Sequence, residues 1–182
     1  MTRYLILEGC HGTGTTTHAD ALAETLRGML PRVWVYHHPP HPPGLDGVAR
    51  VAWYAGARAQ LVDVARDLSP GVVVMDRGPR SGLIYAAACG DAVAGAMAID
   101  ERDAEPWRSA PMVMLDAPDD VLDARIAARG EPVGPALAER GVWRATLGMV
   151  RRFMPPVRTD RPQAVVQAEL LTWALRAMEV PR

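Results

Sequence analysis

The ten residues Glu8-Gly9-Cys10-His11-Gly12-Thr13-Gly14-Thr15-Thr16-Thr17 have the glycine spacing of a loop that wraps phosphate, but they include no lysine. Backbone N–H groups from Gly12 to Thr16 can converge on phosphate oxygens at the positive end of a following helix. Thr16 stands where a hydroxyl would meet Mg²⁺, and Thr15 stands where a lysine ordinarily reaches the outer phosphates. No nearby lysine can substitute, because all 20 residues of the Lys plus Arg count are arginines. Any cation at this loop is therefore a guanidinium or a metal. A second anchor is Asp76-Arg77. A carboxylate ending a strand suits Mg²⁺ held through water, since magnesium dehydrates reluctantly. Arg77 can offer a planar fork to a second phosphate. Taken alone, the pair reads equally well as a strand-end ion pair. Cys10, at a helix N-terminus, is placed to have a lowered thiol pKa.

Such a loop needs a strand before it and a helix after it. Tyr4-Leu5-Ile6-Leu7 is an apolar run of strand type, and Ala19, Leu22, Ala23, Leu26 and Leu30 have helical spacing. Four further segments read as strands: Arg32 to Tyr36, Gly71 to Met75 running into Asp76, Pro111 to Asp116, and the short Val165-Val166. Between them the pattern predicts helices over Val48 to Leu68, over Ser81 to Met97, and from a cap at Asp119 through Arg129. A helix containing Trp143, Leu147, Val150 and Phe153 follows the Gly130 to Pro135 break, and a last helix carries Leu170, Leu171, Ala174, Leu175 and Met178. The proline-rich segment His37 to Gly44 reads as an extended loop. Alternation of apolar strands with helices predicts an α/β fold with a parallel sheet covered on both faces. Ligands bind such sheets at the carboxyl ends of strands, where Gly9, Asp76 and Asp116 fall.

With 182 residues and 49% apolar composition, the chain reads as one domain spanning 1–182 with a sizeable core. Trp34, Trp107, Trp143 and Trp173 are expected to pack. No stretch reaches the length of a membrane span, and the N-terminus reads as a strand rather than a signal peptide. A net charge of −1 argues against broad electrostatic binding to nucleic acid. Cys10 and Cys89 lie too far apart in kind and position to suggest a disulfide framework, so a cytoplasmic location is expected.

The ordered set of these motifs resembles the thymidylate kinase family of P-loop nucleoside monophosphate kinases, from Tyr4 to about Phe153. That family's E-G-x-D/E-G-x-G-K-S/T-T is similar to Glu8–Thr17, with Thr15 in place of lysine and His11 in place of the acidic residue. Its F-x-x-x-R-x-Q is similar to Tyr54, Arg58 and Gln60. Its D-R-Y-x-x-S-x-x-A-Y is similar to Asp76-Arg77-Gly78-Pro79-Arg80-Ser81-Gly82-Leu83-Ile84-Tyr85, with Gly78 for tyrosine. Leu115-Asp116-Ala117-Pro118, Arg125 and Arg129-Gly130 resemble the strand and helix leading to a mobile lid at about 130–142. The family's R-E-P-G after the second strand corresponds to His37-His38-Pro39-Pro40.

The resemblance implies a three-layer P-loop kinase fold with a five-stranded parallel sheet, ATP as phosphoryl donor, Mg²⁺ as cofactor and a homodimer. Gly9, His11, Gly12, Thr13, Gly14, Thr15, Thr16, Thr17 and Arg125 would hold the donor, with the metal at Thr16 and Asp76. Tyr54 would stack on the acceptor base and Arg58, with Gln60 beside it, would donate to a base carbonyl. Arg77 would grip the acceptor phosphate, and Ser81, Gly82 and Tyr85 would lie against the acceptor, Tyr85 where a 2′-hydroxyl would project. His11 has three open roles: bonding the acceptor's 3′-hydroxyl, contacting phosphate, or none. The cluster His37, His38 and His41 reads as acceptor-pocket lining in preference to a zinc site, since no fourth ligand is evident.

Transfer to a phosphate needs no protein base, so catalysis would be alignment and charge neutralisation. Losing one preorganised donor costs roughly 10²–10³-fold in rate. Arg77 would have to compensate, together with one of Arg125, Arg129, Arg140 and Arg144 delivered by a closing lid; that these four are solvated helix arginines is the plain alternative. The expected function is phosphoryl transfer to dTMP or a related pyrimidine deoxynucleotide. A nucleotide-binding pseudokinase is the rival, and a kinase acting on modified bases in DNA a more distant one.

Overall fold

The computed structural model describes residues 2–67, 70–130, 133–150 and 155–179; the expected helix positions Leu68 and Phe153 lie outside them. Five strands form one parallel sheet: β1 (Arg3–Glu8), β2 (Val33–His37), β3 (Val72–Asp76), β4 (Met112–Asp116) and β5 (Val157–Arg158). Their spatial order is β2-β3-β1-β4-β5. The helices are α1 (Thr15–Arg27), α2 (Gly47–Asp67), α3 (Pro79–Cys89), α4 (Ala92–Asp103), α5 (Asp119–Ala128), α6 (Val133–Val150) and α7 (Gln163–Glu179).

Side-chain alternation along β1 assigns the two faces of the sheet. Leu5 and Leu7 join Leu22 and Leu26 of α1 and Val166 and Leu170 of α7 in one buried cluster. Tyr4 and Ile6 point the other way, into a cluster with Ala65 of α2 and Trp107. Each fully buried Leu in these layers contributes about 1.5–3 kcal/mol. Trp143 of α6 is fully buried against Cys10, Met114 and Leu122, which ties α6 to the end of the sheet that carries the loop.

Three expectations need correction. The helix predicted over Ser81 to Met97 is two helices, broken at Gly90-Asp91. Gly90 caps α3 with left-handed backbone (φ 67°), and the Asp91 carboxylate accepts from the N–H groups of Val93 and Ala94 to start α4. Asp119 is the first residue of α5, after a cap at Pro118. Val165-Val166 is not a strand but the first turn of α7, where Val166, Leu170 and Ala174 recur on the buried face. The fifth strand is Val157–Arg158, in register with Leu115 and Asp116.

Candidate active site

The loop between β1 and α1 sits at the carboxyl end of the central strand. Gly12 and Gly14 both have left-handed backbone, φ 88° and 82°, which turns the chain back onto the N-terminus of α1. Thr13 is buried and its hydroxyl donates to the Cys10 carbonyl at 2.8 Å. Thr15 is 5% exposed, its methyl turned toward Gly9 rather than outward. Glu8 is fully buried; it accepts from the Gly78 N–H at 3.0 Å and the Ser81 hydroxyl at 2.6 Å. Burial raises the Glu8 carboxyl above its ordinary pKa, with the Ser81 hydrogen bond opposing. A Cβ on Gly78 would lie 2.8 Å from Ile6, so the tyrosine of the kinase pattern has no room here.

Thr16 and Asp76 meet: the hydroxyl donates to Asp76 Oδ2 at 2.5 Å. His37, level with Asp76 across β2 and β3, bridges Asp76 at 3.3 Å and Asp20 at 3.0 Å. Asp76 Oδ1 is buried with no hydrogen-bond partner among the described residues. A buried carboxylate oxygen left over beside a threonine hydroxyl fits a hard, oxygen-seeking cation or one of its waters. Thr16 and Asp76 are thus the residues that could hold Mg²⁺.

One cavity of about 200 Å³ opens beside this pair, lined by His11, Arg50, Tyr54, Asp76, Arg77 and Tyr85, with His38, Arg58, Ser81 and Gly82 also in its wall. Arg77 has left-handed backbone (φ 70°), rare for a side-chain-bearing residue, and its N–H donates to the Leu7 carbonyl at 2.9 Å. Arg50 lies over the Tyr85 ring, 4.2 Å from its centroid, and its Nε is buried without a partner among the described residues. The cavity therefore holds two guanidiniums, Arg50 and Arg77, with Asp76 and Glu139 as the carboxylates in its wall, and both arginine charges act on Glu139.

Other expected contacts in this cavity are arranged differently. Arg58 is 1% exposed and makes a two-point ion pair with Glu101 at 2.5 and 2.6 Å, while its third nitrogen donates to His38 Nε2 at 2.7 Å. Burial first, and the Arg58 charge second, hold the His38 imidazole down to about 3, so it is neutral. Tyr54 already touches His38 and His41 through its ring, at centroid distances of 4.9 and 5.9 Å. Gln60 is exposed on α2 and is not part of the cavity. His11 pairs with Glu139 of α6 at 3.2 Å. Burial works to raise the Glu139 carboxyl, but the hydrogen bond to His11 and the charges of His11, Arg77 and Arg50 together outweigh it, and the net shift is downward.

A larger cavity, about 400 Å³, lies on the other side of the loop, with Gly12, Gly14, Thr17, His18, Arg125 and Arg129 in its wall. Arg125 is anchored in the protein: it donates to the Gly12 carbonyl at 3.0 Å and to Thr159 at 3.2 and 2.7 Å. Its role is to brace the loop against the segment after β5. Arg140 is buried and bonds Asp123 at 2.7 Å, outside both cavities, and Arg144 is held by Asp116 and Asp119. Cys10 departs from expectation: it lies before the cap of α1, and burial pushes its thiol up to about 11, outweighing the charges of Arg144, Arg77 and Arg140. The histidines of the proline-rich loop go separate ways, His41 bonding the Pro42 carbonyl while His37 and His38 serve Asp76 and Arg58.

Sequence reasoning missed Arg50, Glu101 and Glu139. None carries a local signature, Glu101 lying within the charged run Asp100–Asp103 and Glu139 beside Arg140, and only the packing of α2, α4 and α6 around the loop shows where each points.

A glycine loop joining a central parallel strand to a helix, with cavities at the strand ends, defines the P-loop kinase fold. Solved structures agree. Thymidylate kinase from Ehrlichia chaffeensis is similar over 94% of this chain and 97% of its own, with TM-score 0.66 and 16% identity. Deoxyadenosine kinase from M. mycoides, with the products dCMP and dCDP bound, is similar over 96% and 99%, with TM-score 0.62 and 13% identity. The same enzyme with dCTP bound gives TM-score 0.64 and 12% identity over 96% and 99%. No protein-family model and no curated protein sequence matches the chain.

Proposed function

We propose that this chain is a nucleoside monophosphate kinase that transfers a phosphoryl group from ATP to dTMP or a related pyrimidine deoxynucleotide. The observation that carries the reading is the Thr16–Asp76 pair, with its leftover buried oxygen, at a loop that walls two cavities. The larger cavity takes the donor nucleoside and the smaller one the acceptor. When bound at Thr16 and Asp76, Mg²⁺ supplies charge neutralisation on the donor phosphates. Backbone amides of Gly12 to Thr16 cradle those phosphates. Arg77 and Arg50 hold the acceptor phosphate in line, and Tyr85, fixed by Arg50 and by the Gly47 N–H at 3.2 Å, shapes the sugar site. Arg58, locked by Glu101, sets His38 against the acceptor base with Tyr54 behind it. The segment near 130–142 closes as a lid that brings Arg129 toward the donor, and the protein works as a cytoplasmic homodimer.

A second reading, a pseudokinase that binds nucleotide without turnover, draws on Thr15 and on the commitment of Arg125 and Arg140 to protein partners. Purified protein with ATP, Mg²⁺ and a panel of nucleoside monophosphates separates the two. Diphosphate formation, fastest with a pyrimidine deoxynucleotide, supports the kinase. Nucleotide binding with no product from any acceptor supports the pseudokinase.

A further inference from the structure

His18 is the fourth residue of α1, and its backbone N–H donates to the Gly14 carbonyl at 2.9 Å. Only 6% of it is exposed, yet its ring borders the larger cavity together with Gly14 and Thr17. Gln167 of α7, 149 residues later in the chain, places its amide Nε2 2.8 Å from His18 Nδ1. The other end of that amide, Gln167 Oε1, is buried with no partner among the described residues. As placed, the amide leaves that carbonyl and one of its two N–H groups without a described partner, whereas reversing it would leave both N–H donors so, and proteins tolerate stranded N–H groups less well than stranded carbonyls. Gln167 is therefore the donor and Nδ1 the acceptor, which puts the single proton of a neutral imidazole on Nε2.

That nitrogen faces the loop. A Cβ built on Gly14 would lie 3.6 Å from His18 Nε2, so the absence of a side chain at position 14 keeps the approach open. We propose that His18 donates a hydrogen bond from Nε2 to the sugar-proximal phosphate of the donor nucleotide, and that Gln167 acts as the positioning residue that fixes this tautomer. The inference rests on the larger cavity being the donor site, as proposed above. Its physical sense lies in the missing lysine. A loop with one cation fewer gains a donor that adds no buried charge when the nucleotide is absent, and a hydrogen bond to an ionised oxygen is stronger than one to a neutral acceptor.

The tautomer is read directly by ¹⁵N NMR of the histidine rings in nucleotide-free protein. The expected result is a proton on Nε2 of His18, and a proton on Nδ1 overturns the proposal. Calorimetric binding of ADP with Mg²⁺ then tests the contact. His18→Phe, which keeps a ring without nitrogen, is expected to weaken ADP binding by about tenfold to a hundredfold, as for a lost hydrogen bond to a charged group. Gln167→Leu is expected to weaken it less, and to add nothing once His18 is Phe; dTMP binding should stay at the wild-type value in all three variants. If His18→Phe also loses dTMP binding, its fold is damaged and Gln167→Leu decides with the NMR result. Wild-type protein that binds ADP no better than the variants overturns the role of His18 alone. Wild-type protein that binds no ADP at all overturns this proposal and the kinase reading together.

Discussion

Asp76 carries the clearest sign of an intended ligand: one carboxylate oxygen engaged by Thr16 and His37, the other buried and unmatched among the described residues. Asp76→Asn keeps the shape and removes the negative charge that attracts a divalent cation. Loss of a metal-holding group of this kind weakens metal affinity or activity by about 10–100-fold. A Mg²⁺ titration of turnover should show that shift, and an unchanged midpoint would place the metal elsewhere. His38 offers a pH test. Its folded-state pKa, about 3, lies below the ordinary value of 6.5, so the folded protein resists protonation more than the unfolded chain does. Stability from this group is full above about pH 6.5 and is lost as pH falls toward about 3, with a slope of at most about 1.4 kcal/mol per pH unit. His38→Asn, which still offers Arg58 an acceptor, should flatten that part of a denaturant-derived stability profile between pH 7 and 4; parallel profiles would show that His38 does not titrate in the fold as described. Thr16 and Asp76 were legible in the sequence because a glycine loop and a strand-end acid announce themselves locally. The Arg58–Glu101 pair was not, because its members lie 43 residues apart and nothing near Glu101 marks it as a partner.

Four of the five strands and most helices followed from apolar periodicity, and the failures have local causes. Small apolar residues continue without a change of pattern through Gly90-Asp91, so only the left-handed cap and the Asp91 bonds reveal two helices. Val165-Val166 carries strong β-propensity, but the valines follow Pro162 and open a helix whose Val166, Leu170 and Ala174 face α1 and the sheet. Tertiary burial overrode propensity there. The assignment makes a contrast at neighbouring sites. Leu170→Ala, at a fully buried position, should cost about 2–5 kcal/mol in chemical denaturation. Val165→Ala, at a position 47% exposed, should cost less than about 0.5 kcal/mol. Equal losses at the two positions would contradict the phase of α7.

Across the molecule, the parallel sheet with both faces covered was readable from alternation alone, whereas the strand order β2-β3-β1-β4-β5 emerges only from pairing. That order sets β1 between β3 and β4, which is why Glu8, Asp76 and Asp116 end beside one another around the loop. No helix among the described residues is long and apolar enough to cross a membrane. The chain's arginines do not share one task. Arg125 braces the loop, Arg140 and Arg144 tie α6 to α5 and β4, Arg58 is sealed by Glu101, and Arg50 and Arg77 remain directed at the smaller cavity. In the proposed kinase, the work of the absent lysine falls to Arg77 with a metal at Asp76. The initial rate of ATP-dependent dTMP phosphorylation, compared among wild type, Arg77→Ala and Thr15→Lys, tests this most directly. Removing Arg77 should slow the reaction by at least about 10²-fold, while restoring a lysine at position 15 should leave the rate unchanged or lower. A wild-type rate in Arg77→Ala, or a large gain in Thr15→Lys, would contradict it.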